Sequence, residues 1–539
     1  MEKQTMSNAE SEVSKLTGAN SNSKITVGII GAGIAGLTTA KIMLEHGFNV
    51  SVFEKKASLG GVWAVSRTYP GLRANTAKET YGLTDYPYPE STSGYPEAEE
   101  VRQHLESYAE HFGVRPHIKF NAEITSLSAI EKDRESGFSM TVCSSNNRNE
   151  TQSYEFPFVV ICSGAFSTPN IPNLPGRENF KGLARHSSEC TDPALSDAKR
   201  VVIIGAGKSA LDCAAWAARE GKASNIVFRK PHWMVPRYLP GGARSDLRFI
   251  SRFTELFVYY PTRPQGERFL HGPGKPIVWL WWTLLSNIVP RVLGIPAIMV
   301  PDEKLPTGFE SVGQVDDFFD LLNEGRITAK RGRIVEFNES GVELDDGSVI
   351  DTDLIIFGTG WQRDMSFLSE DLREQVFESG RFHLYRRILP PQQQGLAFVG
   401  FFPTLTCPMS SEVGAHWAAQ CFSGKMSLPS VSEMDDEIEL LENWAKERAP
   451  ESEDGVFTGP YIAHYVDELM DDMGIPTKRT NNFIREYLGT FLPTRYGSLG
   501  QELREAHDDE SKNRRGFYFS SIHALVGIAI IATVLIFSN

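Results

Sequence analysis

The phrase IGAGIAGL at Ile30–Leu37 returns at Ile204–Leu211 as IGAGKSAL. No other feature of the chain restricts its folding as much. A G-x-G-x-x-G/A run between an apolar stretch and a helical pattern is the turn of a βαβ unit. Its first glycine makes the tight turn, its second lets a pyrophosphate approach the backbone, and its third lets the helix pack on the strand. The helix N-terminus then receives the phosphate charge.

In the first copy, KITVGII (Lys24–Ile30) leads into Gly31, Gly33 and Gly36. A helical pattern runs through His46, and NVSVFEK places Glu54 eighteen residues past Gly36, where an acid accepts ribose hydroxyls. In the second copy, RVVIIG leads into Gly205, Gly207 and Ala210, with Lys208 and Ser209 between them. Here the second strand, NIVFRK, ends in Arg229 and Lys230. A carboxylate repels a 2′-phosphate and an arginine grips it, so this site favours NADPH over NADH. The alternative for these two residues is a pair of surface cations.

Two dinucleotide sites of opposite charge preference imply a resident FAD at the first and a visiting NADPH at the second. GGVW (Gly60–Trp63) follows Glu54 closely; Gly61 lets a loop lie near the flavin, and Trp63 either stacks there or packs in the core. Ile124 and Gly360 complete the candidate cofactor contacts. The expected fold is α/β, with two Rossmann-like dinucleotide-binding domains and a C-terminal transmembrane helix. Residues 25–200 and 331–430 form the FAD domain, interrupted by an NADPH domain over 201–330. RITAKRGRIVEF and GVELDDGSVIDTDLIIFG return the chain to the first fold.

The 539 residues suffice for several domains, and a net charge of −14 with no basic stripe argues against nucleic acid as a partner. The six cysteines are scattered, without a CxxC pair or a metal-type cluster, as expected of reduced thiols facing the cytosol. Residues 1–24 are polar and are expected to be disordered. Gly516–Phe537 carries no formal charge if His523 is neutral, and it is long enough to cross a bilayer behind Lys512, Arg514 and Arg515. It is expected to anchor the chain with its catalytic domains facing the cytosol, at the endoplasmic reticulum ahead of the mitochondrial outer membrane. The alternative is a terminal helix docked into the protein's own core. Within Phe249–Pro301, PIVWLWWTLLSNIVPRVLGIPAIMVP suits core, a membrane-skimming surface or a tunnel wall. Residues 431–510, with MDDEIELLENWAKERA, suit a solvated cap; 431–515 as a whole is expected to be a helical acidic region.

Taken together, Ile25 to Lys425 resembles the flavin-containing monooxygenases. Besides the fingerprints, NFKGLARHS carries the F-x-G-x-x-x-H linker through Phe180, Gly182 and His186. LIIFGTGW (Leu354–Trp361) is similar to the strand and turn that close the flavin site, and SSEVGAHWAAQCFSGK to the helix after the last sheet strand. The neighbouring Baeyer–Villiger monooxygenases carry a tryptophan after the linker histidine, where this chain has Cys190, and Y-P-G-x-R-x-D, where Tyr69–Asn75 ends in Asn75.

The resemblance implies that NADPH reduces FAD and that reduced flavin captures O2 as a C4a-peroxide, which passes one oxygen atom to a small lipophilic substrate. Asn75 is the candidate catalytic residue, because an amide bonds the peroxyflavin or retained NADP without adding charge. Asn75 as a turn residue after Pro70–Gly71 is the alternative. His186 suits an interdomain hydrogen bond better than a catalytic role. N- or S-oxygenation is expected ahead of Baeyer–Villiger oxidation of a ketone. A disulfide reductase or a non-oxygenating flavoprotein would share the fingerprints, but the reductase needs a redox dithiol near the flavin.

Overall fold

The computed structural model describes residues 25–508, apart from 133–134, 146, 192, 240, 263–266, 306–312, 402–403, 405, 449–455, 457–458 and 460. The expected lead-in at 1–24 and the apolar segment Gly516–Phe537 lie outside the described residues. Among the described residues, no helix is long and apolar enough to cross a membrane.

The chain enters through β1 (Thr26–Ile30), α1 (Ile34–Glu45) and β2 (Asn49–Glu54), then α2 (Ala98–His111) and β3 (Ile118–Phe120). A three-stranded antiparallel sheet over residues 122–156 leads to β4 (Phe158–Ile161). There follow β5 (Leu183–His186), β6 (Arg200–Ile204), α3 (Lys208–Arg219), β7 (Ala223–Phe228), α4 (Lys275–Val292), β8 (Ile327–Arg331) and β9 (Leu354–Phe357). The chain continues through β10 (Leu396–Phe398), α5 (Cys407–Phe422), α6 (Val431–Arg448), α7 (Ile462–Asp472) and α8 (Leu499–Asp508).

Two five-stranded sheets result, in the orders β10-β4-β1-β2-β3 and β8-β7-β6-β9-β5, with every neighbouring pair parallel. Strands buried on both faces read as unbroken apolar runs, as in FVVI of β4 and LIIF of β9, where every residue is buried.

Strand pairing moves the expected boundaries. Val201 stands beside Leu354, and Leu354 beside Leu183, so β9 and β5 both belong to the second sheet. The second domain therefore takes strands from the chain on either side of 201–330. The return to the first sheet is made by β10, against Val159–Ile161 of β4, and not by LIIFGTGW.

The aromatic stretch after Phe249 is core on one side of its helix. In α4, Trp281, Trp282 and Leu285 are buried, and Trp281 stacks on Phe257 at 4.4 Å. The other side leaves Trp279 67% exposed, with Leu280 and Leu284 exposed beside it.

The region after 431 is not a solvated cap. Met434, Ile438, Leu441 and Trp444 of α6 and Val466, Leu469 and Met470 of α7 join the main core, because their spacing gives each helix an apolar face. Half-buried ion pairs fasten this layer, among them Arg386 with Asp472 at 2.7 Å and Arg387 with Glu442 at 2.6 Å.

Candidate functional site: two dinucleotide cradles and the turn at Asn75

The first cradle is built where β1 turns into α1. Gly31 has φ +104°, which an L side chain rarely adopts, and a Cβ there would lie 2.7 Å from the Cys162 carbonyl oxygen. A Cβ on Gly36 would lie 1.9 Å from the Gly31 carbonyl oxygen, so α1 packs on its strand only with glycine at that position. Gly33 faces the next loop, where its Cβ would meet the Gly61 Cα at 3.5 Å. The Gly60 N–H donates to the Ala32 carbonyl at 2.9 Å and holds that loop over the turn.

Glu54 ends β2 with 7% exposure. Its carboxylate accepts the Ala32 N–H at 2.8 Å on one oxygen and the Lys56 N–H at 2.9 Å on the other. It keeps lone pairs for a ribose, since each carboxylate oxygen accepts more than one bond. Trp63 is buried and donates from Nε1 to the Tyr81 hydroxyl at 3.2 Å. Among protein groups it is a packed side chain. Ile124 lies on the small antiparallel sheet, packed against the cluster that includes Phe53 of β2.

The second cradle repeats the first. Gly205 has φ +123°, and a Cβ on it would lie 2.3 Å from the Gly358 carbonyl oxygen. Gly358 abuts Ala210, so the turn after β9 closes against this fingerprint and not the first. Gly207 opens α3 with no protein atom within 4 Å of a Cβ built on it, which leaves room for phosphate at the helix N-terminus. Ser209 follows in the first turn of α3, and Lys208 is ion-paired with Asp212 of the same helix. Arg229 and Lys230 are exposed past the end of β7, with Lys230 3.5 Å from Glu303.

The linker motif forms the edge of the second sheet. Gly182 lies under the Asp353 carbonyl, where a Cβ would come within 2.5 Å, and the Phe180 ring stands 6.1 Å from that of Phe337. His186 is fully buried; its Nδ1 accepts the Ser188 N–H at 3.2 Å, and its Nε2 donates to the Gly360 carbonyl at 3.0 Å. Burial lowers its pKa, which keeps the ring neutral. Gly360 has φ +84°, and its carbonyl also accepts from the Asn170 N–H at 3.0 Å.

Asn75 lies between the halves. The turn around it bonds to Arg237 and Asp246 of the inserted segment, and its Oδ1 is buried with no hydrogen-bond partner among the described residues. Nearby, the Tyr69 hydroxyl crosses to Asp212 at 3.1 Å, and burial raises the pKa of that carboxyl against the pull of Lys208.

Residues 24–264 and 313–485 match the profile of the flavin-binding monooxygenase-like family. The chain belongs to that family. This flavin monooxygenase is 28% identical over 537 residues to the probable flavin-containing monooxygenase 1 of Arabidopsis thaliana, covering 89% of this chain and 97% of that one. It is 28% identical to human flavin-containing monooxygenase 5, covering 84% and 83%. Its fold is similar to that of S-allyl-L-cysteine S-oxygenase from Allium sativum, with a TM-score of 0.56, 21% identity and coverage of 94% and 98%. It is also similar to an ε-caprolactone-bound cyclohexanone monooxygenase, with a TM-score of 0.62, 17% identity and coverage of 90% and 98%.

FAD and NADPH are the cofactors of this flavin monooxygenase. The cradles fit them: each has a left-handed glycine turn, a helix N-terminus and an approach free of side chains, and the two differ in charge at the end of the second strand. Sequence patterns had missed Arg237 and Asp246. No sequence signal marks them, because their partners Ala74, Ala77 and Tyr95 lie more than 140 positions away.

Proposed function

We propose that this flavin monooxygenase consumes NADPH to insert one oxygen atom of O2 into a soft nitrogen or sulfur of a small lipophilic substrate. FAD, when bound, supplies hydride acceptance and oxygen activation. The chain supplies the rest. Gly31, Gly33 and the N-terminus of α1 hold the flavin dinucleotide, Glu54 orients its ribose, and Arg229 takes the 2′-phosphate of NADPH.

One observation carries the reading: Asn75 Oδ1 is buried and has no hydrogen-bond partner among the described residues, in a turn bonded on both flanks to Arg237 and Asp246. A buried acceptor of this kind is completed by a ligand donor, and an amide does so without adding charge beside a developing anion. The second reading, oxidation of a ketone to an ester, draws on Tyr69, whose hydroxyl joins the halves at Asp212. Against it, Arg73 of the same motif is paired with Glu97 at the surface, at 2.6 Å. A disulfide reductase suits the chain least, since burial pushes the Cys162 thiol, behind the first cradle, up to about 12.

The test is product mass spectrometry under labelled oxygen with an amine, a thioether and a ketone. Labelled N-oxide or S-oxide is expected, and ester formation from the ketone alone would overturn the reading. We also propose attachment to a membrane, with the catalytic halves in the cytosol. This rests on the apolar segment Gly516–Phe537 and on the exposed Trp279, Leu280 and Leu284 of α4.

A further inference from the structure

The turn that carries Asn75 is held on both flanks by the inserted segment: Arg237 is tied to the NADPH-binding half through Asp316, and the chain after Asp246 packs through Ile250 and Phe253 into the main core. Before Asn75, the Ala74 carbonyl accepts from Arg237 Nη1 at 2.8 Å; after it, the Ala77 N–H donates to Asp246 Oδ2 at 2.7 Å. Thr80 Oγ1 donates to that same oxygen at 2.8 Å. The Tyr95 hydroxyl lies 2.9 Å from the other carboxylate oxygen and 2.6 Å from the Arg237 carbonyl. Its one proton serves these acceptors in turn. The Arg237 guanidinium lies over the Tyr95 ring at 4.5 Å, with Nε 2.7 Å from Asp316, and Arg244 pairs with Glu79 through both nitrogens at the outer edge.

Arg237 and Asp246 are each only 4% exposed. Burying a carboxylate and a guanidinium costs free energy unless both are fully paired, and apolar side chains would join two domains at less cost. Here each charge also reaches a backbone group on one side of a single residue, Asn75. What they fix is where the backbone presents the Asn75 side chain.

We infer that Arg237 and Asp246 are positioning residues that set the amide of Asn75 in the frame of the NADPH-binding half. This rests on the reading of Asn75 given above. The two elements that must cooperate, the amide and the nucleotide site, come from segments joined by no local chain connection, so the clamp replaces the missing covalent link.

The test compares holoenzymes carrying Asn75→Ala, Asp246→Asn, Arg237→Lys, Arg237→Met and the double variant Asn75→Ala/Asp246→Asn. Two quantities are read: hydrogen exchange of peptides spanning residues 72–81, and hydrogen peroxide released per NADPH consumed. Asp246→Asn is expected to speed exchange there about tenfold and leave the peptide over α1 unchanged. It is also expected to raise the peroxide fraction as much as Asn75→Ala does. The double variant should be no worse than either single one, because the clamp acts through the amide. Arg237→Lys should recover most of the coupling that Arg237→Met loses.

Additive losses in the double variant, or faster exchange with unchanged coupling, would overturn the inference and leave the role of Asn75 standing. Unchanged coupling in Asn75→Ala would overturn the reading beneath it. Should Asp246→Asn fail to fold, Tyr95→Phe and Thr80→Val each remove one bond to the carboxylate. A smaller change in both readouts is then expected, and no change in either would overturn the inference.

Discussion

His186 donates through Nε2 to the carbonyl of Gly360, 3.0 Å away and 174 positions along the chain. The bond ties the edge strand β5 to the turn after β9, and the ring meets Trp361 edge-on at 4.8 Å. His186→Ala is expected to cost about 1–3 kcal/mol of stability in chemical denaturation. Flavin reduction by NADPH should survive in the folded fraction. Lost reduction at unchanged stability would place the imidazole in the chemistry.

Gly33 and Gly36 separate cofactor from fold. A methyl on Gly33 meets only Gly61 at 3.5 Å, an ordinary contact, so Gly33→Ala should fold and yet be purified with far less FAD. A methyl on Gly36 runs into the Gly31 carbonyl at 1.9 Å, so Gly36→Ala should lower the thermal midpoint of the apoprotein itself. Flavin absorbance and thermal unfolding check both. Full FAD content in Gly33→Ala would remove the first cradle from flavin binding.

Arg229 is exposed past β7 and open to a phosphate. A charge-assisted bond is worth about 1.5–3 kcal/mol, so Arg229→Ala should raise the KM for NADPH roughly 10- to 100-fold. The KM for NADH should stay nearly constant. Equal losses with both nucleotides would leave Arg229 a plain surface cation.

Asn75→Asp is nearly isosteric and touches neither glycine turn. FAD content and flavin reduction by NADPH should be retained, and hydrogen peroxide per NADPH should rise severalfold, because a new negative charge disfavours a neighbouring anion. Gain of ketone-to-ester activity would move the chain toward the second reading. No change in coupling would make Asn75 a turn residue.

Glu412 of α5 is buried beside Asp85 and accepts the Thr84 N–H at 2.8 Å. Burial pushes its carboxyl up to about 8, with Asp85 adding to the rise and Lys41 opposing it. A raised folded pKa stabilises at low pH; that contribution is complete below the unfolded value and is lost as pH climbs toward about 8, at about 1.4 kcal/mol per unit. Thermal midpoints between pH 5.5 and 8.5 should therefore fall more steeply in the wild type than in Glu412→Gln. Parallel curves would show that Glu412 does not titrate in this range.

The cradles were legible in the sequence because their geometry is local. Gly31, Gly33 and Gly36 each answer to a turn, an approach or a packing contact within a single βαβ unit, and Glu54 sits at the end of the next strand. The domain boundaries were not legible. LIIF reads as a buried parallel strand in either sheet, and only its pairing with Val201–Ile204 assigns it to the second. Acidic patterns such as MDDEIELLENWAKERA hid an apolar face, because the charges outnumber the core positions Met434, Ile438 and Leu441. Asn75 stands in a motif that the sequence displays, but Arg237 and Asp246 carry no motif, and their meaning lies in partners far along the chain.

The threading of β5 and β9 into the second sheet decides how this protein can be taken apart. A fragment cut at 201 and 330 would hold β6, β7 and most of β8, and would leave β6 as a bare edge whose Val201, Val202 and Ile203 are fully buried in the intact chain. Such an apolar edge invites aggregation. A fragment cut before Leu183 and after Phe357 carries all five strands with their hydrogen bonds made, and its two ends leave from neighbouring strands of one sheet. Excision, transplantation or splitting of the nucleotide-binding half therefore belongs at those two positions, with the linker histidine travelling as part of the cargo and with Ile250, Phe253, Phe257 and Trp281, which pack in the main core, replaced by polar residues.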